Sequence, residues 1–134
     1  MSDLHKLRTV SLKFGFSLSE VSPDEIPYSR NAFSIDSLGK LNGISLSRNG
    51  LDNADFLSNL KNLRFLNLNE NYISDIQFVS YMKRLTYQDL SQNRIRKISS
   101  LQTLKELTHL NLSGNLIEDP ETIGRLTNLT HIVF

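Results

Sequence analysis

The chain has 134 residues and a mass of 15.3 kDa, the size of one domain of roughly 100–150 residues. Fifteen basic side chains stand against 14 acidic ones, giving a net charge of +1, which argues against a polybasic binder of nucleic acid or membrane surfaces. Cysteine is absent, which excludes disulfides, cysteine-based zinc sites and cysteine nucleophiles, and 23 Leu beside 13 Asn is an unusual pairing at this length.

The first residues place charges (Asp3, Lys6) where a secretion signal needs an apolar run, and no stretch approaches the ~18 apolar residues of a membrane helix. These features predict a cytoplasmic address, or a nuclear one in a eukaryote, without membrane contact. Leu4, Leu7, Val10 and Leu12 repeat the spacing of Leu38, Leu41, Ile44 and Leu46, at an offset of 34 residues. Residues 1–37 therefore read as an irregular N-terminal capping unit, with a surface loop at 19–31 that contains Pro23 and Pro27. If that loop meets a partner, Ile26, Tyr28 and Arg30 are its contact residues, since loops on rigid scaffolds often carry function.

From residue 38 the chain is strictly periodic, and Asn49, Asn71, Asn93 and Asn115 are each 22 residues apart. Around them one phrase recurs: Leu41, Ile44, Leu46, Asn49, Leu51, then Leu63, Leu66, Leu68, Asn71, Ile73. It returns as Leu85, Gln88, Leu90, Asn93, Ile95 and as Leu107, Leu110, Leu112, Asn115, Ile117. Between phrases the apolar residues step by threes, as in Ile73, Ile76, Val79, Met82 and Leu85, which suits a short helical or 3₁₀ return.

This phrase resembles the leucine-rich repeat, L-x-x-L-x-L-x-x-N-x-L, and the 22-residue unit is similar to those of phosphatase-regulatory proteins and bacterial internalins. The resemblance covers about residues 35–134 and, more weakly, 4–18. It implies a single α/β domain over 1–134, a leucine-rich repeat solenoid. A parallel β-sheet would line its concave face and short helical or 3₁₀ returns its convex face. No unit buries its apolar side alone, so neighbours stack into a continuous core. The Asn at the ninth position is expected to bond backbone groups of adjacent turns.

Two core positions depart from the pattern, and the last unit is incomplete. Gln88 occupies an inward slot filled elsewhere by Ile44, Leu66 and Leu110, so a buried amide must find partners or cost roughly 1–3 kcal/mol. Pro120 stands where Ile76 and Ile98 do and is expected to open its return. Leu129, Ile132 and Phe134 begin a further unit of which only part is present. Its strand would offer an open edge, and edge-to-edge self-association is one expected outcome.

The resemblance implies binding through variable positions of the strand face. The third position reads Thr9, Gly43, Phe65, Tyr87, His109 and His131, and the fifth Ser11, Ser45, Asn67, Asp89, Asn111 and Val133. An aromatic row flanked by hydrogen-bonding groups is what protein interfaces enrich, so Phe65, Asn67, Tyr87, Asp89, His109, Asn111 and His131 are the expected partner-binding residues. The same row also serves as cross-strand stacking for the sheet itself. His109, His131 and Asp89 are too few and too flatly arranged for tetrahedral zinc, so no metal or cofactor is expected. No catalytic motif is present. The expected role is a non-enzymatic protein-interaction module, with a piece of a longer repeat protein or a small immunity-type inhibitor of a partner enzyme as alternatives.

Overall fold

The computed structural model describes residues 2–15 and 17–134, and for Val10 and Phe14 the backbone alone. One helix, α1 (Asp3–Phe14), precedes seven strands: β1 (Ser19–Glu20), β2 (Ala32–Ile35), β3 (Leu41–Ser45), β4 (Phe65–Asn67), β5 (Tyr87–Asp89), β6 (His109–Asn111) and β7 (His131–Val133). They form one open sheet in chain order. The 3₁₀ segments Asp55–Asn59, Gln77–Tyr81, Ser99–Thr103 and Pro120–Arg125 return the chain from each strand to the next, and Pro120 opens its segment as the sequence predicts.

The apolar phrase explains the packing. Leu41, Ile44, Leu46 and their counterparts in the next three units are buried in one continuous core, with Gln88 among them. The threes-spaced residues of the returns, Ile73, Ile76, Val79 and Met82 among them, close that core from the other side. Between β3 and β7 every pairing is parallel and in register, so equivalent residues of successive units are direct neighbours.

Two side-chain ladders tie the units together. At the strand ends, Asn71 donates from Nδ2 to the carbonyls of Leu46 (3.1 Å) and Leu68 (3.0 Å) and accepts from the N–H groups of Asn49 and Leu51. Asn93 and Asn115 repeat the two donations one and two units on and accept from the N–H groups of Ile73 and Ile95, whereas Asn49, at the end of the ladder, donates to the side chain of Asn31 at 2.6 Å. The sequence did not announce the second ladder. At the strand starts, Thr86, Thr108 and Thr130 each donate a hydroxyl proton to the carbonyl of the residue 22 positions earlier, at 3.1, 3.1 and 3.3 Å.

The N-terminal unit differs from expectation. Residues 3–14 form α1 rather than a strand, so Thr9 and Ser11 belong to no strand face. Ser2 caps the helix by accepting from the His5 N–H at 3.1 Å, Asp3 sits in the first turn, and Gly15 ends it in the left-handed region at φ 76°. Leu7 is buried while Leu12 is 79% exposed, so one face anchors the helix to the domain. The sheet also departs from the parallel expectation, because β2 and β3 pair antiparallel across a turn at 36–40. In that turn Asp36 Oδ1 accepts from the N–H groups of Leu38 and Lys40 at 2.8 and 2.9 Å.

Candidate functional site

The segment expected as a surface loop, 19–31, is instead built onto the sheet. After β1 it forms a 3₁₀ helix, Pro23–Tyr28, lying against β2, β3 and β4 on the face away from the returns. Gly43 makes this approach possible, since a Cβ there would collide with the Ser34 hydroxyl and stand 3.0 Å from Ile26 Cγ1. Ile26 is fully buried, so it contacts no partner. The Arg30 guanidinium holds the carbonyls of Ser47 (3.3 Å) and Arg48 (2.8 Å) and acts as a strap. Of the three expected loop contacts Tyr28, 90% exposed, is presented free to solvent, and Arg30 is exposed but engaged with those two carbonyls.

This cover changes which of the predicted residues form a surface. Asn67 is 1% exposed, and its Nδ2 donates to the carbonyls of Ile26 (3.3 Å) and Pro27 (3.2 Å). Asp89 is 6% exposed and accepts from the N–H and hydroxyl of Ser91 at 2.9 and 2.6 Å. Asn111 makes the same turn with Ser113, at 3.1 and 2.9 Å, and stays half-buried. These fifth-position residues shape the strand ends, because short Asx side chains bond the backbone two residues on. Asn67 and Asp89 therefore offer little to a partner.

The third-position residues do line up. Phe65, Tyr87, His109 and His131 are register partners across β4–β7, half-buried at the first three positions and exposed at the last. The Tyr87 and His109 rings are 6.1 Å apart and tilted, and those of His109 and His131 stack at 4.1 Å with planes 8° apart. The Thr108 hydroxyl lies 2.9 Å from His109 Nδ1, and Thr130 repeats this with His131. The threonine ladder commits each hydroxyl proton to a carbonyl, so Nδ1–H is the ring donor and Nε2 is left as an acceptor at the surface.

Electrostatics follow from this crowding. Burial, the neighbouring Asp89 carboxylate and the Tyr28 phenol push the Tyr87 hydroxyl up to about 12. His109 is lowered below the usual histidine range, chiefly by desolvation and then by the charge of His131. The surroundings of His109 thus favour its neutral ring. Among the described residues no group of three or more His, Asp or Glu is placed to hold a metal ion.

The models for leucine rich repeats match residues 39–81, as two copies, and residues 73–117. The chain is a leucine-rich repeat protein. Its fold is shared with an internalin (inlF) of Listeria monocytogenes at 33% identity and a TM-score of 0.68, over 77% of this chain and 32% of the other. A second internalin of that organism, internalin C2, is 30% identical with a TM-score of 0.59, over 60% and 36% of the two chains. A leucine-rich repeat protein of Leptospira interrogans, 23% identical with a TM-score of 0.61 over 77% and 29%, shares the fold alone. The repeat protein spans about a third of the length of these internalins. No curated protein matches it in sequence. Leucine-rich repeat domains are typically non-enzymatic protein-interaction modules, and the open sheet with 3₁₀ returns is the architecture of that family.

Proposed function

We propose that this leucine-rich repeat protein binds a partner protein on the uncovered part of its concave strand face. The contact row is Tyr28, Phe65, Tyr87, His109 and His131, with Asn111 at its border. One observation carries the reading: the 3₁₀ segment covers the face at β2–β4 up to the half-buried Phe65 and leaves Tyr87, His109 and His131 on β5–β7 open, with the exposed Tyr28 near enough to Tyr87 to act on its hydroxyl. Preorganised aromatic rings bury large apolar area at low entropic cost, and their polar atoms orient the partner. The test is capture by the immobilised chain against a Tyr28→Ala/Tyr87→Ala variant that keeps its circular dichroism. Loss of the captured partner is expected, and equal recovery by both refutes the reading.

A second reading rests on the far end of the sheet. Leu116, Ile132, Val133 and Phe134 are exposed beside the outer edge of β7. A further strand, from a continuing solenoid or from a second copy of this chain, would pair there and cover them. Sedimentation over a range of concentrations tests the second copy, and a monomer throughout removes it.

A further inference from the structure

The near-neutral total conceals an uneven distribution of charge. In each unit the chain turns once before the strand and once after it. Lys61, Lys83 and Lys105 hold the same place before β4, β5 and β6, four residues ahead of Phe65, Tyr87 and His109. Lys40, Arg64 and Arg84 stand beside them, and all six except the half-buried Arg64 are exposed. Among the described residues the ion pairs are Lys6–Asp3 in α1, whose Asp3 lines a shallow cavity with Lys40 and Asn62 at one end of this flank, and Arg48–Glu70, Arg96–Glu118 and Lys97–Glu118 after the strands. Among the described residues the cations of the strand-start flank have no carboxylate within ion-pair distance. The side-chain link between their units is neutral, Arg84 to the Asn62 amide oxygen at 3.5 Å. The acids in that part of each unit are Asp36 and Glu106, and Asp36 is held below the usual carboxylate range mainly by the Lys40 N–H, with Lys40 and Arg84 adding to it.

Like charges held at rung spacing without a carboxylate paired to them set up a positive field that attracts an anion. Successive rungs of a sheet are about 4.8 Å apart, so three lysines line a strip about 10 Å long. That is a length an extended acidic peptide spans in three or four residues, at about 3.3 Å each. The strip is bordered by Glu106 within it and by the carboxylates of Glu70 and Glu118 across the strands, which disfavours a broad polyanion such as duplex nucleic acid. Lys83 and Tyr87 belong to one strand start, so a partner seated on the aromatic row passes over the cations.

We infer that the strand-start flank is an electrostatic docking strip for an acidic protein segment, whose carboxylates meet Lys61, Lys83 and Lys105 while its apolar side chains meet the aromatic row. This rests on the concave-face reading and supplies the chemistry of its partner.

The probe is a fluorescein-labelled poly-glutamate peptide, followed by anisotropy at low and at physiological salt. Binding that weakens steeply with salt is expected, as screening requires. Lys61→Gln/Lys83→Gln/Lys105→Gln should weaken it about tenfold or more, since three exposed charges each contribute up to ~1 kcal/mol. Arg94→Gln/Arg96→Gln/Lys97→Gln, which removes the same formal charge after the strands, should weaken it by less than about threefold, because those charges lie across the strands from the strip. Equal weakening by the two triples would show net charge alone and overturn the strip. An oligothymidylate that binds as tightly and is lost in the same variant would overturn the assignment to an acidic protein. Tyr28→Ala/Tyr87→Ala should leave poly-glutamate binding intact. If poly-glutamate fails to bind while that variant still loses its captured partner, the strip is wrong and the concave-face reading stands.

Discussion

Gln88→Leu should make the protein more stable. The Gln88 side chain is fully buried, between the register partners Leu66 and Leu110, and neither its Oε1 nor its Nε2 has a hydrogen-bond partner. A buried, unpaired polar group costs about 1–3 kcal/mol, and an aliphatic side chain at that site removes the cost. Leucine has one heavy atom fewer, and the small void it leaves returns part of the gain, on the order of 0.5–1 kcal/mol. The expected net is about 1–2 kcal/mol. In urea, with a slope of about 2 kcal/mol per M, the midpoint should rise by about 0.5–1 M at unchanged slope. Gln88→Glu should act oppositely and lower the midpoint, because a carboxyl there must be buried neutral or unpaired. A midpoint for Gln88→Leu that stays the same or falls, at constant slope, would show that the amide is stabilising and refute this reasoning.

Asn93→Ala should cost about 2 kcal/mol in the same assay, because it leaves the N–H of Ile73 unpaired in the interior and takes one of two side-chain donors from the carbonyls of Leu68 and Leu90, which keep Asn71 and Asn115. Asn49→Ala, at the end of the ladder, should cost only about 1 kcal/mol. Gly43→Ala should expel the 3₁₀ segment Pro23–Tyr28 from the sheet, at a cost of about 1–3 kcal/mol, and limited proteolysis should then cut within 19–31. His109 should titrate below the ordinary histidine midpoint of ~6.5 by NMR, and His131→Ala should move it upward. Because the unfolded chain takes up that proton first, His109 should lower stability as pH falls below ~6.5 and have no effect above it.

The repeats were legible because stacking forces the same chemistry into the same slot every 22 residues, and Asn71, Asn93 and Asn115 behave as the phrase implies. α1 was not, because Leu4, Leu7, Val10 and Leu12 satisfy both a repeat strand and a helix face. Ser2 and Asp3 at one end, with Lys13 and Gly15 at the other, were the signals that favour the helix. The β2–β3 hairpin was also marked, by Asp36 and Gly39 between two apolar alternations. In the site, the aromatic row was legible from register alone. The roles of Asn67 and Asp89 were not, since a polar residue on a strand reads alike whether it faces a partner or its own backbone. Ser91 and Ser113, two residues after an Asx, were the available hint. The burial of Ile26 depends on a gap at Gly43 that lies 17 positions away in sequence, which no local pattern reports.

The two ladders have a consequence for how such a chain can change its length. Threonines pin each strand where it starts and asparagines where it ends, so a single inserted or deleted residue between Thr86 and Asn93 would misalign both fastenings at once. Removing residues 73–94, by contrast, joins Tyr72 to Ile95 and restores every rung, because position and partner repeat together. Growth and shrinkage are therefore quantised. A lineage of such chains can alter the reach of its binding face in whole-unit steps while each rung stays as it was, and gradual change is left to the exposed side chains.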